Sequence, residues 1–141
     1  MYEMTREEWQ SFAMEGTRTG KLATLRKDGR PHVTPIWFVL DGDDVVFTTH
    51  ETSLKGRALR RDPNIALCVD DDRPPFAYVL IEGQATVDTD VGRLRDWAAR
   101  IGGRYMGADR AEEYGARNGV AGELLVRVTA SKVLARGAIA D

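Results

Sequence analysis

The sequence predicts an α+β, mainly β protein: a six-stranded antiparallel β-barrel, closed or split, with flanking helices. Three observations predict it. Asp28-Gly29 and Asp41-Gly42 lie one strand length apart among strand-like segments, which is hairpin chemistry and demands antiparallel neighbours. Six strand-like segments share a chain of only 141 residues with a few short helical ones. No GxGxxG or GxxxxGKS/T run occurs, so nothing argues for a parallel nucleotide-binding sheet.

Along the chain, Thr5 with Glu8 three residues on is a capping box, and Trp9, Phe12 and Ala13 then fall at helical spacing until Gly16 stops the run. Leu22–Lys27 alternates as a strand, and Asp28-Gly29 turns it into a second, His32–Leu40. Asp41-Gly42 turns again into a third, Asp44–Thr49, so the three form a meander. A basic helix comes after Ser53 and is ended by Asp62-Pro63. Asn64–Asp71 reads as a buried strand and Ala77–Asp90 as a long one, with Gly83 marking a bulge or close backbone approach. Val91–Asn118 is helical, with a stripe of Leu94, Trp97, Ala98 and Ile101; Gly102-Gly103 is expected to interrupt it and Asp109 to cap a second helix. Gly122–Gly137 closes as a strand. With no linker or repeat, residues 1–141 form a single domain.

Composition narrows the function. Apolar residues make up 43% and charged residues 30%, as in folded globular chains. No apolar run is long enough to span a bilayer and no secretory signal is visible, so the expected location is cytoplasmic, without membrane contact. Cys68 is the single cysteine, and His32 and His50 are far apart, so neither a disulfide nor a metal centre is expected. The net charge is −2, yet Ser53–Asp62 gathers four basic residues against one acidic. A local positive focus suits one anionic small molecule, whereas nucleic acid asks for a broad basic stripe with interleaved aromatics.

The focus has a chemical reading. Ser53 caps a helix whose N-terminus offers free N–H groups and a positive dipole end, and Lys55 in the first turn can reach the same anion. Arg57, Arg60 and Arg61 share one face, with Leu54 and Ala58 turned inward; Arg60 and Arg61 lean towards plain surface charge. Upstream, Pro35 removes a ladder donor, so its strand is an edge or carries a bulge, and backbone near Thr34–Trp37 is free to face a flat ring. Of Trp37 and Phe38, on opposite faces, one is core and the other lines a pocket or a subunit contact. No nucleophile, triad or acid–base pair is evident, so no catalytic residue is assigned and an organic cofactor is expected to carry the chemistry.

The blocks GKLATLRKDGRPHVTPIWFVLDGDDVVFTT, SLKGRALRRDPNIALCVDD and YVLIEGQATV, in this order, resemble the flavin-type split-barrel superfamily that includes pyridoxamine 5′-phosphate oxidase. They look most like its actinobacterial branch using the deazaflavin coenzyme F420, and RYMG (Arg104–Gly107) continues the likeness more loosely. The resemblance implies that Thr34, Pro35, Ile36 and Trp37 run along the cofactor ring, and that Thr48 and Thr49 lie near its ribityl chain. It implies that Ser53 and Lys55 bind the cofactor phosphate, with Arg57 assisting. It also implies a homodimer whose two sites are completed across the interface; the Trp97–Tyr105 helix is the candidate contributor. The oxidase branch's Arg-x-Val-Leu-Leu-Lys strand is replaced here by Pro35–Val39, and Arg57, Arg60 and Arg61 suit the polyanionic tail of coenzyme F420 better than FMN. The implied function is hydride transfer between reduced deazaflavin and an electron-poor organic substrate. The alternatives are an FMN-dependent oxidase or flavin reductase, and a cofactor- or haem-binding protein without turnover.

Overall fold

The computed structural model describes all 141 residues. Eight strands and four helices run in the order β1 (Tyr2–Glu3), α1 (Arg6–Met14), β2 (Gly20–Leu25), β3 (Pro31–Ile36), β4 (Val39–Asp41), β5 (Asp44–His50), α2 (Leu54–Arg61), β6 (Asn64–Asp71), β7 (Ala77–Asp88), α3 (Val91–Met106), a 3-10 turn (Ala108–Arg110), α4 (Ala111–Asn118) and β8 (Glu123–Gly137). The sheet is antiparallel throughout and runs β3-β2-β6-β7-β8-β5-β4, with β1 added to β8.

The strand count is eight instead of six, and the hydrogen-bonded path is open. The expected strand His32–Leu40 breaks at Trp37-Phe38 into β3 and β4, which end up at opposite edges of the sheet. Each Asp-Gly turn makes its hairpin, β2–β3 and β4–β5, but the two hairpins share no ladder, so the meander does not form. The break is what splits the barrel. β1 supplies the other additional strand, pairing Tyr2 with Gly137. As expected, Pro35 sits on an edge strand, and the β7–β8 register shifts between Glu82 and Gly83. A Cβ at Gly83 would strike the Thr129 carbonyl, so the bulge needs glycine.

One core fills the inside of the sheet: Leu22, Phe38, Phe47, Leu67, Ile81 and Val126 are each at most 1% exposed. Burying each such side chain contributes roughly 1.5–3 kcal/mol. Helix α1 closes one end with Trp9 and Ala13, its start held by the Thr5–Glu8 capping box. A second, smaller cluster of Val39, Val46, Leu94, Ile101 and Leu125 glues α3 to β4, β5 and β8.

Helix α3 runs straight through Gly102-Gly103. These glycines serve contact, not termination: a Cβ on Gly102 would collide with the Tyr114 side chain, and one on Gly103 would come within 3.3 Å of the Ala111 Cβ. They let α4 lie flat against α3. Asp109 caps nothing, and α4 begins without a side-chain cap, continuing directly from the 3-10 turn.

The start of α3 yields a pH prediction. Asp90 caps it through the Arg93 amide, and the Arg93 guanidinium grips Asp88 at 2.6 Å. That hydrogen bond, with backbone donors from Asp90 and Thr89, lowers Asp88 to about 2. A carboxyl lowered in the folded state stabilises it above the ordinary carboxylate range, and the contribution disappears as pH falls through about 2. The loss of melting temperature between pH 7 and pH 2 should therefore be smaller in Asp88→Asn than in the parent protein.

Candidate functional site

Strand β5 ends at His50, and the chain turns into α2 through Ser53. The Ser53 hydroxyl donates to the His50 carbonyl at 2.8 Å and accepts the Gly56 amide at 3.0 Å. Thr49 Oγ1 lies 2.8 Å from the same hydroxyl, and either of the two can donate to the other. Ser53 and the buried Thr49 thus build the helix start. Gly56 is required, because a Cβ would meet the His50 carbonyl. What the turn leaves available is its dipole end, the Leu54 and Lys55 amides without intrahelical acceptors, and the Lys55 ammonium.

Lys55 lines a cavity of about 220 Å³ with Pro35, Ile36, Trp37, Thr48, Ala98, Ile101 and Asn118. Five residues singled out in the sequence therefore meet at one place, although they come from β3, the corner after it, β5 and α2. Trp37 is 37% exposed and Phe38 fully buried, so the tryptophan is the pocket residue and the phenylalanine the core one. Thr34 is set slightly apart: its Oγ1 and His32 Nδ1 are buried without partners on the inner side of β3.

Beyond the first turn of α2 a separate groove of about 310 Å³ is lined by Arg26, Lys27, Leu54, Arg57 and Arg61. Neither these cations nor Lys55 has a carboxylate partner within the chain. Arg61 is anchored by a 3.3 Å bond to the Leu25 carbonyl, so it faces the groove, whereas the exposed Arg60 lines neither opening. The inward side of α2 is Ala58 and Leu59, not Leu54, which is 41% exposed at the groove. A larger concavity of about 410 Å³ lies beside the Gly83 bulge. Its one charged lining residue is Glu82, which makes it a poor place for an anion.

The corner that presents Trp37 is held from α3. The Trp37 and Tyr105 rings stack, with centroids 5.1 Å apart and planes at 6°, and Tyr114 meets Trp37 edge-on at 5.7 Å. The Tyr105 hydroxyl accepts the Phe38 amide at 3.2 Å and donates to the Arg18 carbonyl at 2.8 Å. Its neighbour Arg104 donates to the carbonyls of Phe38 (2.6 Å), Ala13 (2.8 Å) and Gly16 (3.0 Å). One guanidinium so ties the corner to the C-terminal end of α1, where a cation is favourable. Burial pushes the Tyr105 phenol up and the Arg104 guanidinium down from their ordinary values.

Sequence reasoning missed Asn118, Arg26 and Lys27, and gave Arg104 and Tyr105 only a loose family likeness and a place in the helix expected to serve a second subunit. The adjacent Arg26-Lys27 pair before Asp28-Gly29 was a usable signal, since a hairpin tip projects its charges. The Trp97–Tyr105 stretch, expected to serve a second subunit, already places Ala98 and Ile101 at the cavity of its own chain.

As a binding surface the site offers one ammonium and free helix amides beside a partly apolar, aromatic-walled cavity, with more cations in reserve. That donor set fits a phosphorylated planar cofactor, and it contains no groups arranged for metal ligation. No helix is long and apolar enough to cross a membrane. The chain is similar over 96% of its length to a conserved hypothetical protein from Mycobacterium tuberculosis, at 28% identity, 86% coverage of that chain and a TM-score of 0.85. It is similar to an F420 reductase at 25% identity and a TM-score of 0.69, covering 87% of this chain and 94% of that one. A FAD-binding protein from Mesorhizobium loti shares the fold at 16% identity, with 95% of each chain covered and a TM-score of 0.69. The family model described as pyridoxamine 5′-phosphate oxidase matches residues 5–136. This match, the split sheet and the phosphate-suited helix start lead to one conclusion: the chain belongs to the pyridoxamine 5′-phosphate oxidase family, the flavin-type split barrels.

Proposed function

We propose that the protein is a coenzyme F420-dependent reductase, active in the cytoplasm as a homodimer with two cofactor sites across the subunit interface. When bound, reduced deazaflavin supplies a hydride to an electron-poor organic substrate. The chain's own residues do the rest. Lys55 and the α2 amides hold the phosphate, and Pro35, Ile36 and Trp37 border the ring. Thr48 and Thr49 flank the linking chain, with Thr49 and Ser53 acting through the helix start that they build.

The observation that carries this reading is the pair of openings at the start of α2 whose cations have no carboxylate partner in the chain. FMN ends in one phosphate and would satisfy Lys55 alone. Coenzyme F420 continues past its phosphodiester into several carboxylates, and the groove of Arg26, Lys27, Arg57 and Arg61 meets those with four further cations. Similarity to an F420 reductase supports the same choice.

The activity test is anaerobic. Reduced coenzyme F420 is mixed with the protein and a panel of quinones, enones and nitroaromatics, and the return of deazaflavin absorbance is monitored. Turnover with at least one acceptor class is expected. Tight cofactor binding with no reoxidation by any acceptor would reduce the protein to a cofactor carrier.

A further inference from the structure

Four side chains around the 220 Å³ cavity carry polar groups with no hydrogen bond within the chain: Lys55, Thr48, Asn118 and, through its indole N–H, Trp37. Lys55 and Thr48 were visible as candidates in the sequence; Asn118, the last residue of α4, was not. It is half-buried, and α4 reaches the cavity because Gly102 and Gly115 let it lie close against α3. Pro35, Ile36, Ala98 and Ile101 are apolar, and Trp37 adds to its apolar ring a donor but no acceptor. A carboxamide is the one lining group that presents a fixed donor and a fixed acceptor in a single plane. Its complement is a flat edge on which a C=O and an N–H stand side by side. A half-buried carboxamide with neither need met within the chain is available to bind such an edge.

We propose that Asn118 reads the imide edge of a planar heterocycle bound in this cavity, donating to a ring carbonyl and accepting the adjacent ring N–H. The assignment rests on the proposed cofactor function, since flavin and deazaflavin rings both carry that edge. It divides the recognition between two places. Asn118 selects the ring class and does not separate the two cofactors, whereas the groove of Arg26, Lys27, Arg57 and Arg61 responds to the groups beyond the phosphate.

The probes are 5-deazaflavin mononucleotide and its N3-methyl analogue, which keeps ring and phosphate but loses the imide proton. Dissociation constants are measured for the parent protein, Asn118→Ala and Lys55→Ala. The parent protein is expected to prefer the unmethylated probe at least tenfold. Asn118→Ala should weaken the unmethylated probe about tenfold and the methylated one little, bringing the ratio below about threefold. Lys55→Ala should weaken both probes and leave the ratio intact. Because Asn118 has no partner in the chain, Asn118→Ala should melt with the parent protein; if it does not fold, Asn118→Ser carries the same comparison. A ratio that Asn118→Ala leaves unchanged, while Lys55→Ala still weakens both probes, overturns the Asn118 assignment alone. Indifference of both probes to both substitutions overturns the cofactor reading as well.

Discussion

Replacing Arg104 with leucine is expected to destabilise the protein by about 2–4 kcal/mol. The substitution leaves the carbonyls of Phe38, Ala13 and Gly16 without their donor in partly buried surroundings. It also removes the cation that complements the end of α1, and one that lies over the Phe38 and Tyr105 rings at 4.7 and 4.8 Å. For a chain of this size the loss corresponds to roughly 8–15 °C in melting temperature, read by thermal unfolding monitored in the far ultraviolet. Arg104→Lys should recover only part of it, because an ammonium cannot span three carbonyls fixed by a planar fork. Since the Trp37 corner loses its clamp, the tryptophan emission should also shift to longer wavelength below the melting range. A melting point within about 2 °C of the parent protein, a change worth well under 1 kcal/mol, would show that the carbonyls are satisfied by water and that the clamp is incidental.

Lys55→Ala should weaken coenzyme F420 by about 1–3 kcal/mol, roughly five- to 150-fold, through loss of a charge-assisted hydrogen bond. The melting temperature of the free protein should hardly move, because Lys55 has no internal partner to lose. Arg57→Ala and Arg61→Ala should each weaken coenzyme F420 several-fold while sparing FMN, since both line the tail groove. Arg60→Ala should do nothing. Raising salt should shrink the Arg57 and Arg61 effects first, as exposed charges are screened more than enclosed ones. An Arg60 effect equal to that of Arg61 would mean that binding depends on bulk charge and not on the groove. Titration calorimetry on the four variants, with both cofactors, reads all of this.

Local signals carried most of the fold. Both Asp-Gly hairpins, the Thr5–Glu8 box, the Ser53 cap and the Gly83 bulge were legible because each depends on a few neighbouring residues. The break at Trp37-Phe38 was not. Nothing in the apolar run announces a corner there; it exists because Arg104 and Tyr105, 66 and 67 residues later, bind the Phe38 backbone. Gly102-Gly103 misled for a similar reason, since glycine in a helix weakens it locally but here makes room for Tyr114 and Ala111. At the site, the motif around Ser53 and Lys55 pointed to the start of α2, where Lys55 does meet Pro35, Ile36, Trp37 and Thr48. The division of its arginines between surface and groove depended on the β2–β3 tip folding over to supply Arg26, Lys27 and the Leu25 carbonyl.

In the proposed function Lys55 and the start of α2 hold the phosphate of a flavin-type cofactor, and the groove beyond extends recognition to a polyanionic tail. The decisive experiment is competitive titration of the purified protein with coenzyme F420 and FMN, at low and at physiological salt. Coenzyme F420 should bind at least tenfold more tightly at low salt, with the advantage narrowing as salt rises. Equal or tighter binding of FMN with no salt dependence would contradict the tail groove, and absence of binding by either cofactor would contradict the site itself.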